Sequence, residues 1–265
     1  MGKQIMCALA AGLLAATLGS PAPAAEAAAG GRACQNIAHR GMHADTEQQV
    51  RGVARNARWG FTEVDARVTS DGVVVAIHDI SLERISGGKS TAHVSDRTFR
   101  RIRRLPYKFG RRVETTRRLI REAGRSDSPI MVTANSYARY RQAWDGGGLD
   151  ALWRAAQQHP NPDDVYFGGA GAERAMREAH PQASTFHRYR RGDDILEHAV
   201  EYGVDLVGLP KARFDRGLVA DLKREQIRVA TVQLARKGSV RKANAAGIRL
   251  IQTDRGKRTV RRWCR

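Results

Sequence analysis

Residues 61–79 read FTEVDARVTSDGVVVAIHD. β-branched and aromatic residues dominate the stretch, and Asp71-Gly72, a favourable hairpin dipeptide, divides it into two short strands, 61–67 and 72–78. A two-residue loop at that point pairs Asp65 with His78 and leaves Glu63, two residues back, on the same face. Upstream, a strand-like run over 35–39 ends in His39 and is followed by Arg40 and Gly41. Glu63-x-Asp65 offers two hard oxygen ligands to one face, which suits Mg²⁺ or Ca²⁺. Two histidines at strand ends can divide a proton transfer, one accepting from an attacking hydroxyl and the other protonating a leaving alkoxide. A cation and Arg40 would offset the charge on phosphoryl oxygens. The plainer reading is a pair of structural histidines beside a solvated acidic pair.

Outward from this stretch, strand-like runs recur at 129–134, 164–168, 182–186, 204–208, 227–233 and 248–252, nine in all with those above. Helical patterns occupy 47–58, 95–105, 114–123, 148–158, 171–179, 192–202, 214–224 and 238–246, with Ser95-Asp96 as the expected N-cap of the second. Strand–helix alternation points to a parallel α/β architecture. The expectation is a (β/α)8 TIM-type barrel in a single domain over 31–265, with one of the nine strands accessory. A doubly wound open sheet is the alternative.

The first thirty residues read differently. A cationic start at Lys3, an apolar run over 5–18 and Ala-x-Ala patterns at Ala22-Pro23-Ala24 and Ala25-Glu26-Ala27 fit a signal peptide and cleavage region over 1–30, and hence a secreted protein. An uncleaved anchor is the alternative. No later stretch is apolar and long enough to span a membrane. Cys7 falls in the removed segment, which leaves Cys34 and Cys264 at the two ends of the mature chain. In an oxidising compartment such a pair is often bridged, and a closed barrel, whose first and last strands adjoin, would bring them together. Two unpaired thiols are the other possibility.

The formal charge is +19, and residues 97–125 hold twelve Lys or Arg against two Glu. Such a surface attracts phosphate polymers, anionic lipid or nucleic acid, but charge alone specifies none of them, and no specific nucleic-acid partner is expected. The same arginines also fit the solvated side of helices.

The segment 37–88 resembles the glycerophosphodiester phosphodiesterase family, which includes relatives of the phospholipase D toxins. Family members read A-H-R-G, a helix opened by Glu-Asn-Thr, then E-x-D, T-x-D-G and a strand ending H-D, followed by a leucine and an arginine. This chain has Ala38-His39-Arg40-Gly41, Glu47-Gln48-Gln49, Glu63, Asp65, Thr69, Asp71, Gly72, His78, Asp79, Leu82 and Arg84 in register. Thr253-Asp254-Arg255 is similar to the family's closing T-D-x-P, with Gly256 in place of proline. The resemblance implies His39 and His78 as the acid/base pair, Arg40 as a phosphate contact, and Glu63 and Asp65 as ligands of a divalent cation, Ca²⁺ or Mg²⁺. It implies cleavage of glycerophosphodiesters to glycerol 3-phosphate and an alcohol, with a neighbouring substrate hydroxyl as internal nucleophile. A deacylated phospholipid or an anionic glycerol-phosphate polymer would be the substrate, and the protein would act as a monomer.

Two departures stand out. The family's fourth strand reads I-E-x-K, with a third carboxylate ligand and a lysine; here Thr133 and Asn135 take those places. Ala230 stands where a tryptophan is common. A lyase of the phospholipase D type acting on lysolipids, and a catalytically impaired binder of phosphate polymers, are the competing functions. Asp163, Asp164 and Glu173 are candidates for a replacement carboxylate, and His43 could reach the site. His93, His159, His180, His187 and His198, with Trp59, Trp144 and Trp153, read as packing or surface residues.

Overall fold

A computed structural model describes residues 34–41, 46–57, 60–169, 171–189 and 194–264. The expected signal segment 1–30, His43 and Trp59 lie outside the described residues. Among the described residues there are nine strands: β1 (Gln35–Ala38), β2 (Gly60–Val68), β3 (Val74–Ala76), β4 (Ile130–Ala134), β5 (Val165–Gly168), β6 (Thr185–Arg188), β7 (Leu206–Leu209), β8 (Arg228–Thr231) and β9 (Leu250–Thr253). All but β3 run parallel, in the order β1-β9-β8-β7-β6-β5-β4-β2. β1 bonds to β9 on one side and to β2 on the other, with Ile37 level with Gln252 and with Phe61. That double pairing closes the sheet into an eight-stranded barrel ringed by helices, as expected, and excludes an open sheet. β3 is the accessory strand, antiparallel on β2.

Each barrel strand sends one side chain to a shared inner layer: Ile37, Phe61, Met131, Tyr166, Phe186, Leu206, Ala230 and Leu250. Strand alternation turns the intervening residues outward onto the helices. Helix Thr116–Gly124 is representative. Thr115 caps it by accepting from the Arg118 N–H at 3.3 Å, and it buries Leu119, Ile120 and Ala123 against the sheet. Burying each of the two larger side chains contributes roughly 2 kcal/mol. Ordinary amphipathic spacing thus accounts for this helix. It accounts less well for helix Lys257–Cys264, which no sequence pattern announced and which buries only Val260. That helix is held instead by the Cys34–Cys264 disulfide, whose Cα atoms are 6.1 Å apart, and by the Asn244 amide donating to the Cys264 carbonyl at 2.8 Å.

Between β2 and β4 the chain builds a satellite core of Val75, Ile77, Leu82, Ile85, Ile102, Tyr107, Phe109 and Val113 beneath the arginine-rich segment. Most of the basic side chains of 97–125 lie exposed on it. The helix expected over 95–105 is a single turn, Phe99–Ile102, because only Phe99 and Ile102 supply its apolar face and Pro106 follows. Its N-cap is Thr98, accepting from the Arg101 N–H at 3.4 Å, rather than Ser95 or Asp96.

The hairpin register also differs from expectation. Ala66 faces Ala76, Arg67 faces Val75 and Val68 faces Val74, one residue away from the pairing that placed Asp65 opposite His78. The cause is the turn. The Thr69 N–H donates to the Val73 carbonyl at 3.0 Å, so the loop holds three residues, Ser70 to Gly72, with Gly72 left-handed at φ 75°. Asp71 supports the turn, accepting from the Thr69 hydroxyl at 2.6 Å and the Phe99 N–H at 2.9 Å.

Candidate active site

His39, Thr133, Asn135, Arg188 and Asp254 lie at or just beyond the C-terminal ends of barrel strands, while Glu63 and Asp65 lie within β2, level with Met131 and Thr133 of β4. The C-terminal end is where a (β/α)8 barrel concentrates reactive side chains. The turn after β1 is strained: Arg40 sits at φ 52°, ψ 31°, a left-handed conformation costing about 1 kcal/mol outside glycine. The Arg40 N–H donates to Glu63 Oε2 at 3.1 Å and its carbonyl accepts from the Gln48 N–H at 3.0 Å, which holds the turn.

The two histidines are oriented in the same way. His39 Nδ1 lies 2.7 Å from Asp254 Oδ1, and Gln233 donates to the other Asp254 oxygen. His78 Nδ1 lies 2.8 Å from Asp79 Oδ1. An ionised carboxylate can only accept, so each Nδ1 carries its proton and each Nε2 is left for chemistry. His78 does not reach the mouth through strand pairing. β3 ends at Ala76, and the His78 carbonyl then accepts from Arg67 Nε at 2.9 Å and Nη2 at 2.5 Å. Behind it, Asp79 accepts from Arg84, whose guanidinium forks onto Glu47 at 2.7 and 3.1 Å. Glu47 in turn lies 3.8 Å from Arg40. Burial lowers the His78 pKa from its ordinary value, the Asp79 hydrogen bond pulls it back up in part, and the Arg40 charge lowers it again. Burial pushes the Asp79 carboxyl up, but Arg84 and His78 together hold it below the usual range.

Glu63 and Asp65 are buried side by side on the inner face of β2. Glu63 Oε1 accepts from the Thr133 hydroxyl at 2.7 Å and from Arg188 Nη2 at 2.8 Å. Asp65 Oδ2 accepts from the Gln48 amide at 2.7 Å, and Oδ1 from the Asn135 amide at 2.6 Å. Arg40 Nε stands 3.5 Å from Asp65. Burial raises the Glu63 carboxyl, but the Arg188 charge, then His39 and the Thr133 and Arg40 hydrogen bonds, leave it below its ordinary value. The Asp65 carboxyl is pushed up to about 7 by burial and by the Glu63 charge.

These surroundings do not fit a divalent cation. All four carboxylate oxygens already accept from N–H or O–H donors, Glu63 Oε1 from two of them, which leaves few lone pairs for Ca²⁺ or Mg²⁺, ions that take about six or more oxygen ligands, waters included. Among the described residues no three of His, Cys, Asp and Glu gather as a ligand set. The candidate replacements are engaged elsewhere. Glu173 lines the same cavity as Thr133 and Arg188 but is tied to His187 at 2.6 Å and to the Gly169 N–H at 3.2 Å. Asp163 and Asp164 sit in the turn before β5, at the opposite end of the barrel, where Asp164 accepts from Asn161. A divalent ion about 4 Å from the Arg188 guanidinium would meet repulsion on the order of 8 kcal/mol at an effective dielectric of about 20.

Beyond Arg188 a cavity of about 700 Å³ opens between the β4, β5 and β6 ends, lined by Asn135, Ser136, Arg174, His187 and Tyr202 among others. His187 and His198, read from sequence as surface or packing residues, line it, their rings 4.9 Å apart. His159 is a packing residue, buried against the Ser128 carbonyl, and Trp144 is buried in the core. Sequence reasoning missed Arg188 because the expected strand 182–186 stopped short of it. An arginine two residues after Phe186, on the same strand face, was the available signal. Asp254 stood in a recognised motif without a role.

The model of the glycerophosphoryl diester phosphodiesterase family matches residues 39–163. No curated protein sequence matches the chain. Among solved structures, a candidate glycerophosphoryl diester phosphodiesterase of Silicibacter pomeroyi is 18% identical with a TM-score of 0.74, over 89% of this chain and 94% of that one. A phosphodiesterase of Oleispira antarctica, in complex with the product sn-glycerol-3-phosphate, is 16% identical with a TM-score of 0.69, over 84% and 93%. The glycerophosphodiester phosphodiesterase of Thermotoga maritima is 17% identical with a TM-score of 0.67, over 84% and 95%. At these identities the likeness is one of fold.

Proposed function

We propose that the chain, whose residues 39–163 match the model of the glycerophosphoryl diester phosphodiesterase family, is a secreted enzyme of that family cleaving glycerophosphodiesters to glycerol 3-phosphate and an alcohol. The observation that carries the reading is the pair of carboxylate-oriented histidines at one barrel mouth, His39 on Asp254 and His78 on Asp79. A solved neighbour of the same fold holds sn-glycerol-3-phosphate as its product, which supports this substrate class.

Burial lowers the His78 pKa, which favours its neutral form and its role as the base. It takes the proton of the glycerol C2 hydroxyl as that oxygen attacks phosphorus. The bond from phosphorus to the leaving alcohol breaks, and the alkoxide takes the Nε2 proton of His39, which enters the cycle as the imidazolium and leaves this step neutral. Water then opens the cyclic phosphate: His39 removes a proton from the water and His78 returns one to the C2 oxygen, giving glycerol 3-phosphate and restoring both rings. Arg40 offsets charge on the phosphoryl oxygens. Family members typically use a divalent cation, whereas here donors occupy the Glu63 and Asp65 oxygens that would hold one. The cavity beyond Arg188 leaves room for the alcohol portion of the substrate, including that of a glycerol-phosphate polymer, to which the +19 chain would be drawn.

The test is release of glycerol 3-phosphate from glycerophosphocholine, with His39→Ala and His78→Ala as controls; activity surviving in both variants would sink the mechanism. The departure at Thr133 favours a second reading, a non-catalytic binder of phosphate polymers. Salt-sensitive polymer binding without product release would select it.

A further inference from the structure

We propose that the Arg188 guanidinium takes the place of the divalent cation, so that the phosphoryl group is held and its charge offset by Arg188 and Arg40 without a metal ion. The chemistry rests on the phosphodiesterase reading above; the geometry does not.

Arg188 ends β6 and points inward with Phe186, whose ring its guanidinium carbon overlies at 5.6 Å. Its Nη2 donates to Glu63 Oε1 at 2.8 Å and to Thr133 Oγ1 at 3.0 Å, while the Thr133 hydroxyl donates to that same Glu63 oxygen. The three groups form a closed triangle. A glutamate at position 133 would bring a second anion to this point, as a metal site needs. Threonine supplies instead an acceptor for the guanidinium and a donor for Glu63.

The barrel makes room for the long side chain. A Cβ on Gly208, the β7 residue level with Arg188, would lie 3.4 Å from Arg188 Cγ. On the next strand Ala230 stands level with Gly208. A tryptophan there, as the family commonly has, would compete for the same part of the mouth. The losses at Thr133 and Ala230 and the presence of Arg188 are therefore one arrangement.

The guanidinium is within reach of a substrate: Arg188 lines the cavity with its side chain 31% exposed, and its hydrogen bonds to Glu63 and Thr133 both run through Nη2. A guanidinium presents planar N–H groups that match phosphate oxygens and stays charged at any working pH. Before substrate arrives Glu63 is set against Arg188, and Asp65 lies 3.5 Å from Arg40. As the C2 oxygen bonds to phosphorus and the leaving oxygen departs, the two guanidiniums take up the growing charge on the non-bridging oxygens. The protons stay with His39 and His78.

The test uses the whole protein, stripped with EDTA and then freed of it. It is titrated with CaCl₂ and MgCl₂ by calorimetry and assayed on glycerophosphocholine with and without EDTA. The expected result is no saturable metal uptake and a change in activity below about twofold. Arg188→Ala should lose roughly a hundredfold, with partial recovery in Arg188→Lys. The double variant Thr133→Glu/Arg188→Ala should gain saturable uptake of Ca²⁺ or Mg²⁺. Uptake of about one ion per chain by the unmodified protein, or activity lost in EDTA and restored by either ion, would overturn the proposal. If no glycerol 3-phosphate appears under any condition, the phosphodiesterase reading falls, and the titration of the unmodified protein still decides for or against Arg188. That titration also decides if the double variant does not fold.

Discussion

On one side of the barrel mouth, His39 and His78 each lean on a carboxylate that leaves one ring nitrogen free. On the other, Glu63 and Asp65 are enclosed by donors from Gln48, Thr133, Asn135, Arg40 and Arg188. The first side is partly open to solvent, with Asp254 60% exposed, whereas Glu63 is fully buried. On the proposed reading, the first side keeps the proton-transfer groups while the means of balancing charge beside them is rebuilt on the second. Proton transfer needs particular nitrogens at particular points. Positive charge can come from any cation the cavity holds.

The comparison can be broken most severely on the first side. His39→Ala or His78→Ala should each lower kcat/KM roughly a thousandfold with little change in Tm. A fall below about tenfold in either would remove that residue from the proton path. On the second side the larger effect should be on stability. Glu63→Gln leaves the Arg188 charge without its counter-charge and should cost about 3 kcal/mol in chemical denaturation, discounted for the partial exposure of Arg188. Pairing that change with Arg188→Met should return most of the loss, because two matched apolar or neutral groups no longer strand a charge. If the double variant is no more stable than the single, the two side chains are not coupled. The smallest effect is on pH. Burial disfavours the His78 imidazolium, so the neutral base persists to lower pH and the acid limb of kcat/KM should lie below 6.5. Asp79→Asn removes the anion that partly raises His78 and should move the limb lower still. A limb that rises in this variant would contradict the assignment of His78 as the base.

The two sides also differed in how far they could be read from residues alone. His39, Arg40, Glu63, Asp65 and His78 fall within a stretch where strand alternation and a Gly-containing turn carry most of the placement. Even there a three-residue turn shifted the hairpin register, because loop length is set by hydrogen bonds that a dipeptide does not determine. Barrel closure was legible from the count of strand–helix alternations. The triangle of Glu63, Thr133 and Arg188 was not: it joins β2, β4 and β6, and turns on whether β6 reaches Arg188 or stops at Phe186. Strand ends are where local signals are weakest. Thr133 could be seen as a missing carboxylate, but its replacement was 55 residues away.

The Cys34–Cys264 bond carries a further consequence. β1 and helix Lys257–Cys264 are the two ends of the described barrel, and the bond spans 230 residues. The chain from Cys34 to Cys264 is therefore a covalent ring closed by that bond. Neither end of the barrel can peel away freely to begin unfolding, and cleavage at one exposed loop would leave two peptides that the bond still joins, one species on a non-reducing gel. It would behave as a circular permutant made by a protease, its new ends at the cut and its old ones bridged at the N-terminal end of β1, across the barrel from His39 and Asp254.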